Sequence, residues 1–263
     1  MILMLTFMLS LSGVLEVANA SNLAALDVYV INGEEKGPTL MIMGAIHGDE
    51  PSGSKAVELY KNVSIKSGTL ILVPRTNAYA LSKNKRYIYQ DMNRLFGVNQ
   101  YNGYESLVVE KLKMLIQKSD MLINLHEGEG FFSENSKKYG QSIVIDAESA
   151  YLKKSNKNMD IKLFAEDVIK SLNKELTNKD YHFGLNCQKT MDESTRHPEQ
   201  RDSATYYAVY SVGIPAFGVE VSKDVKDEKA KVAMQCLAIK NFADKLGVKF
   251  EKTGDKFTPV CNM

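Results

Sequence analysis

The stretch that most limits what this chain can fold into is Pro38 to Tyr60, PTLMIMGAIHGDEPSGSKAVELY. Its apolar run, Leu40 to Ile46, reads as a buried strand. The run stops at His47-Gly48-Asp49-Glu50 and passes through Pro51, Ser52 and Gly53 into a segment with helical spacing (Ala56, Val57, Leu59, Tyr60). This strand–turn–helix order places His47 and Glu50 on a tight turn at the carboxyl end of a strand, where open α/β sheets bind ligands. An imidazole and a carboxylate separated by two residues can both reach one Zn2+ at ~2.0–2.2 Å. Taken alone, the same turn also reads as an ordinary corner with Asp49 or Ser52 as helix cap.

The rest of the chain repeats the alternation. Leu26 to Ile31 alternates weakly and ends in Asn32-Gly33, a hairpin-like signal. Thr69 to Val73 reads as a strand. The polar, basic segment that follows has no clean period and reads as a long loop carrying Arg75, Lys83, Lys85, Arg86 and Asp91-Met92-Asn93-Arg94; loops of such length inside compact domains are often functional. Tyr104 to Lys118 has apolar residues at helical spacing. Met121 to Leu125 is a strand ending in His126-Glu127-Gly128-Glu129, and Gln141 to Ile145 is a further strand. Asp160 to Leu176 is an amphipathic helix, 177–203 is polar and irregular, and Ala204 to Val212 is helical. Ile214 to Val221 is a short strand, and Asp227 to Leu246 is the last helix, stopped by Gly247. Such alternation predicts an α/β fold, a three-layer sandwich around a mixed, mostly parallel sheet. A length of 263 residues with 44% hydrophobic content suits one large domain.

Three of the apolar strands carry one polar site each. His47 and Glu50 follow the first, His126 ends the second, and Glu220 lies in the third. In a mainly parallel sheet these ends meet on one edge. His47, Glu50 and His126 make a His2Glu set, whose three ligands leave a fourth position open, as catalytic zinc requires. Glu127 and Glu129 could compete for metal, but their glycine neighbours suggest a solvated loop. Glu220 sits among Phe217, Val219 and Val221, where an unpaired ion would be costly to bury, so it needs a partner or a task; acting as general base in a metal-assisted hydrolysis supplies one. The plainer alternative is a solvent-facing glutamate near Lys223. Arg86, Asn93 and Arg94 offer an anion grip, since a guanidinium holds a carboxylate bidentately and an amide can complete the grip.

These residues resemble the zinc carboxypeptidase superfamily. Asn77-Ala78, Arg86, then Asp91-Met92-Asn93-Arg94-x-Phe96 look most like its succinylglutamate desuccinylase/aspartoacylase branch. His47-Gly48-Asp49-Glu50-Pro51, together with Gly213-Ile214-Pro215-Ala216-Phe217-Gly218-Val219-Glu220-Val221-Ser222-Lys223, is similar to the exported DL-carboxypeptidases that trim peptidoglycan peptides and set helical cell shape. The resemblance spans roughly Leu40 to Lys223. It implies one zinc ion on His47, Glu50 and His126, with Glu220 as base and then acid. It also implies Asn93 and Arg94 on the substrate's terminal carboxylate, and Arg86 polarising the scissile carbonyl or sharing the carboxylate. Two departures stand out: some cell-shape enzymes carry Gln where His47 stands, and they carry further domains for which this chain has no length. Digestive carboxypeptidases use a mobile tyrosine, for which Tyr206 and Tyr207 are candidates without an anchoring motif.

The remaining features bear on compartment and partners. Met1 to Val14 is mostly apolar and Ala18-Asn19-Ala20 fits a small-residue cleavage site, so residues 1–20 read as an export signal and 21–263 as a single catalytic domain. No stable membrane insertion is expected after cleavage, and the expected location is the periplasm or another exported site. A net charge of +1 gives no electrostatic case for nucleic acid. Cys187, Cys236 and Cys261 lack metal-ligand spacing, and an odd count does not describe a disulfide framework. Two hydrolase functions follow from the resemblance: a carboxypeptidase acting on peptidoglycan stem peptides, or a deacylase of N-acyl amino acids. Either would take a small amide substrate bearing a carboxylate. A metal-free wall-binding protein, the third alternative, would need displaced site residues, and every expected position is filled.

Overall fold

The computed structural model describes residues 26–97, 103–135 and 138–251. The export signal read in 1–20 and Cys261 lie outside the described residues. The chain forms an eight-stranded sheet with the order β1-β3-β2-β4-β9-β5-β8, β10 pairing with β3. Its strands are β1 (Tyr29–Asn32), β2 (Glu35–Gly44), β3 (Ile65–Val73), β4 (Met121–Gly128), β5 (Ser142–Ile145), β8 (Gly184–Cys187), β9 (Ala216–Ser222) and β10 (Lys249–Phe250). The central β3, β2, β4 and β9 are parallel, while β1, β10 and β5 join antiparallel. A separate hairpin pairs β6 (Ser149–Leu152) with β7 (Lys157–Asp160). Helices cover both faces, as expected for an α/β sandwich. Helices α1 (Pro51–Leu59) and α4 (Ile161–Glu175) each pack against α5 (Glu228–Leu246). Helix α3 (Tyr104–Lys118) lies against β2 and the π-helical Tyr207–Val212.

The central strands form where expected because their apolar runs are buried on both faces: Leu40 to Met43, Met121 to Ile123 and Phe217 are fully buried. Phe217 sits between Phe164 and Phe242, at ring-centroid separations of 5.4 Å and 4.8 Å, which fastens β9 to α4 and α5. Asp160 caps α4 by accepting from the Leu163 N–H. Gly247 ends α5 at a φ of 103°, a left-handed conformation that suits glycine.

Several expectations are corrected. The Asn32-Gly33 turn does not join β1 to its neighbour in sequence: β1 pairs with β3, leaving β2 flanked by β3 and β4. The segment after β3 is not structureless, for it holds α2 (Ala78–Ser82), capped by Asn77, and a 3-10 turn at Met92–Arg94. The irregular 177–203 contains β8, an edge strand with only half-buried side chains. Neither Asp49 nor Ser52 caps α1; Glu50 occupies the cap position without a side-chain bond, and Pro51 opens the helix. Strand β4 runs two residues past His126 to Gly128.

Candidate metal centre

The parallel register dictates where the functional side chains meet. Gly44, the last residue of β2, pairs with Leu125, so His126 emerges one step beyond the end of β2. The same row pairs His126 with Glu220 on β9. The chain leaves β2 through Ala45, whose φ of 52° is uncommon for a residue with a Cβ, and this turns His47 back over the sheet edge. Gly48 is fixed by contact: a Cβ there would fall 2.1 Å from the Ala80 carbonyl carbon in α2. Its N–H donates to the Arg86 carbonyl at 3.2 Å. The Thr76 and Asn77 amides donate to the Gly44 and Ala45 carbonyls. The basic loop is thus tied to the His47 turn by main-chain bonds.

Glu50 lies between the two imidazoles. One oxygen is 3.0 Å from His47 Nδ1 and the other 2.9 Å from His126 Nδ1. All three residues are buried, and their ligand atoms lie within 4.8 Å of one another. A divalent ion fits this donor set, since two imidazole nitrogens and a carboxylate converge on one point. The charge balance also favours a cation. Burial opposes a charged His47, but Glu50 and Asp91 outweigh it and push the pKa up to about 9. Burial lowers that of His126, which favours the neutral ring that ligates metal, Glu50 offsetting only part of the effect. Burial likewise opposes charge on Glu50, yet His47 and His126 hold it well below the usual carboxylate range. Glu220 is pushed up to about 8, first by burial and then by the Glu50 charge.

Asp91, which had no role in the sequence reading beyond its place in a motif, connects the two halves of the site. Its Oδ1 is 3.1 Å from His47 Nε2 and accepts from the Asn93 N–H at 2.9 Å; its Oδ2 accepts from Arg86 Nε at 3.2 Å and Nη2 at 3.0 Å. A carboxylate on the far nitrogen of a ligating histidine fixes its tautomer and raises its basicity. Asp91→Asn should therefore weaken the site's affinity for a divalent ion about 10–100-fold, read by competition with a chromophoric chelator. An unchanged affinity would remove Asp91 from this role.

The anion side also assembles. Arg86, Asn93 and Arg94 line the same cleft of about 450 Å³ as His47, Glu50, His126 and Glu220, a volume in the range of small-ligand sites. Arg86 Nη1 reaches within 3.4 Å of Glu50. Asn93 Oδ1 accepts from the Ala204 N–H, which directs its amide nitrogen toward other partners. Lys223 bonds Asp49 at 3.1 Å and lies 3.9 Å from Glu50. The solvated-loop reading of Glu127 is corrected. It is buried on the opposite face of β4, where it accepts from the Ser52 N–H at 2.9 Å and pairs with Lys231 at 2.6 Å. Glu127 also borders the cleft, and its pair with Lys231, with Gln235 donating to the His126 carbonyl, braces the strand from behind. Glu129 remains exposed beside Lys138. Neither Tyr206 nor Tyr207 lines the cleft. Tyr139 does, its hydroxyl 3.1 Å from His197; it lies in an unpatterned loop, with no signal in the sequence to single it out.

Comparison with known proteins places this geometry. The tripeptide-bound cell shape determinant Csd4 of Helicobacter pylori superimposes with a TM-score of 0.79 at 25% identity, covering 88% of this chain and 57% of that one. The mDAP-bound form of Csd4, described as a D,L-carboxypeptidase, gives 0.74 at 28% identity over 82% and 52%. Succinylglutamate desuccinylase of Pseudomonas aeruginosa is 28% identical over 111 residues, 39% of this chain and 33% of that protein. A succinylglutamate desuccinylase/aspartoacylase of Rhodobacter sphaeroides, at 18% identity and a TM-score of 0.58, shares the fold. The chain thus spans little more than half of Csd4 and a third of the desuccinylase. Residues 2–261 match the family described as carboxypeptidase controlling helical cell shape, catalytic, and the chain belongs to that family.

Proposed function

We propose that this chain is the catalytic domain of a zinc carboxypeptidase that removes the terminal residue of a peptidoglycan stem peptide, converting a muramyl tripeptide to the dipeptide. The observation that carries the reading is the buried His47–Glu50–His126 trio with Glu220 in register beside it, facing an arginine-rich wall across one cleft. The solved Csd4 complexes with tripeptide and mDAP support this substrate class. When bound, zinc supplies Lewis acidity, lowers the pKa of a water and, by its charge, draws Glu220 toward its ionised form.

The chain's own residues do the rest. Arg94 and the free amide nitrogen of Asn93 hold the substrate's terminal carboxylate. Arg86, held in place by Asp91 and Glu50, faces the scissile carbonyl and stabilises the oxyanion that forms there. Glu220 takes a proton from the attacking water as the C–O bond forms. It returns that proton to the leaving nitrogen as the C–N bond breaks, so the acid is regenerated as base. Export through residues 1–20 would bring the domain to its polymer; among the described residues no helix is long and apolar enough to cross a membrane.

Similarity to the desuccinylase favours a second reading, deacylation of an N-acyl amino acid by the same machinery. Incubating the zinc-loaded protein with muramyl tripeptide and, separately, with an N-succinyl amino acid distinguishes them by mass spectrometry of the products. The expected result is a free diaminopimelate-type amino acid from the first and no change in the second. The reverse pattern would replace the first reading with the second.

A further inference from the structure

Helix α1 starts one residue after Glu50, and its amino end lacks the usual local cap. Glu50 stands in the cap position, but its side chain makes no cap bond and is turned to His47 and His126 instead. Pro51 opens the helix without an N–H, so Ser52 carries the first main-chain donor of the helix. The first turn holds no acidic residue that could serve it.

That donor is served from another strand. The Ser52 N–H donates to Glu127 Oε1 at 2.9 Å, and the Glu127 N–H donates to Glu50 Oε2 at 3.2 Å. The two bonds close a ring between the Glu50–Ser52 corner and β4. The helix end can come this near because small residues meet at the contact: a Cβ at Gly44 would fall 2.7 Å from the Gly53 carbonyl, and a Cβ at Gly53 would fall 2.8 Å from the Leu125 Cβ. A carboxylate at a helix amino end is favoured both by the hydrogen bond and by the helix dipole. Lys231 of α5 pairs with the other Glu127 oxygen at 2.6 Å, so the buried carboxylate carries its own counter-charge.

We propose that Glu127 is a positioning residue for the metal centre: it caps α1 in place of Glu50 and so leaves the Glu50 carboxylate free to face the ion. This rests on the reading of His47, Glu50 and His126 as metal ligands, and adds a residue that acts through Glu50 without touching the ion. The competing acceptor for the Ser52 N–H is Glu50 itself. A cap residue's side chain bonds the N–H two or three positions on, and Ser52 is two positions on. With Glu127 in place that N–H is already satisfied, and the ligand has no capping task to divide it.

Zn2+ affinity of the folded protein, read by competition with a chromophoric chelator, tests this in two double variants that leave the net charge unchanged. Glu127→Leu with Lys231→Met replaces the ion pair by apolar side chains, a change that often leaves stability level or higher, and takes the acceptor from the Ser52 N–H. Its Zn2+ affinity should fall about 10–100-fold. Glu127→Gln with Lys231→Met removes the same charges but keeps an oxygen for that N–H, and its affinity should stay within about threefold of wild type, short of the range for a lost outer-shell partner. Thermal unfolding of the metal-free proteins separates this role from one of holding the fold, under which the affinity of the folded protein would not depend on that oxygen. A Leu/Met variant that binds Zn2+ as wild type does, or a Gln/Met variant weakened by tenfold or more, overturns the inference alone. A wild-type protein that binds no Zn2+ overturns the metal-site reading and this inference with it.

Discussion

Glu220→Gln should lower kcat on muramyl tripeptide by about 10²–10⁴-fold, the usual share of a positioned general base, while the protein keeps its zinc. The substitution preserves shape and removes only the capacity to carry a proton. Glu220 is not among the three converging ligands, so metal content should stay at the wild-type level. The same residue sets a pH limb. Burial and the Glu50 charge raise its pKa toward about 8. A base must be ionised to act, so kcat/KM should fall as the pH drops through the Glu220 pKa. A cation held beside Glu50 would oppose the Glu50 charge and move this limb to lower pH. The Gln variant should lose this acid limb. Rate measurements across pH, paired with metal analysis, check both statements; a variant with near wild-type kcat would put the base elsewhere.

His126→Ala should be the more damaging change, because it removes a proposed ligand and an internal hydrogen-bond partner together. The protein should no longer retain stoichiometric zinc after dialysis, a loss beyond the 10–100-fold expected for an outer-shell change. Hydrolysis should fall to background. Stability should suffer as well: among the described residues, Glu50 Oε2 would keep only the Glu127 N–H, at 3.2 Å, as a partner to its buried charge. An under-satisfied buried acceptor costs about 1–3 kcal/mol. Zinc should raise the thermal midpoint of the wild-type protein, since it binds the folded state, and leave that of His126→Ala unmoved. Full zinc retention in this variant would mean that the ion sits on other residues.

The parts of this molecule that were legible in the sequence are those where hydrophobic burial and chemistry coincide. Leu40 to Met43, Met121 to Leu125 and Phe217 to Val221 read as buried strands because the parallel centre of the sheet is covered on both faces. Because parallel strands end on one edge, the strand order alone leads one to expect His47, Glu50, His126 and Glu220 together. What stayed hidden lacks that signature. Strands β6, β7 and β8 carry sequences such as KNMD and GLNC, with few buried side chains and no clear alternation. Asn32-Gly33 signals a hairpin, but β2 gains more by burial between β3 and β4 than by pairing with the half-exposed β1. Asp91 could be quoted in a motif, yet its bond to His47 depends on how a loop folds back through Gly48 and Arg86. The glycine neighbours of Glu127 suggest solvent, whereas its strand continues and buries it against Lys231.

The central claim is that His47, Glu50 and His126 hold one zinc ion with a position left open beside Glu220. X-ray absorption at the zinc edge on the purified protein tests it most directly. The account predicts about one equivalent of zinc, with only nitrogen and oxygen neighbours at about 2.0–2.2 Å in a four- or five-coordinate shell. A sulfur neighbour at about 2.3 Å, or a zinc signal that persists unchanged when His47 and His126 are both replaced by alanine, would contradict it.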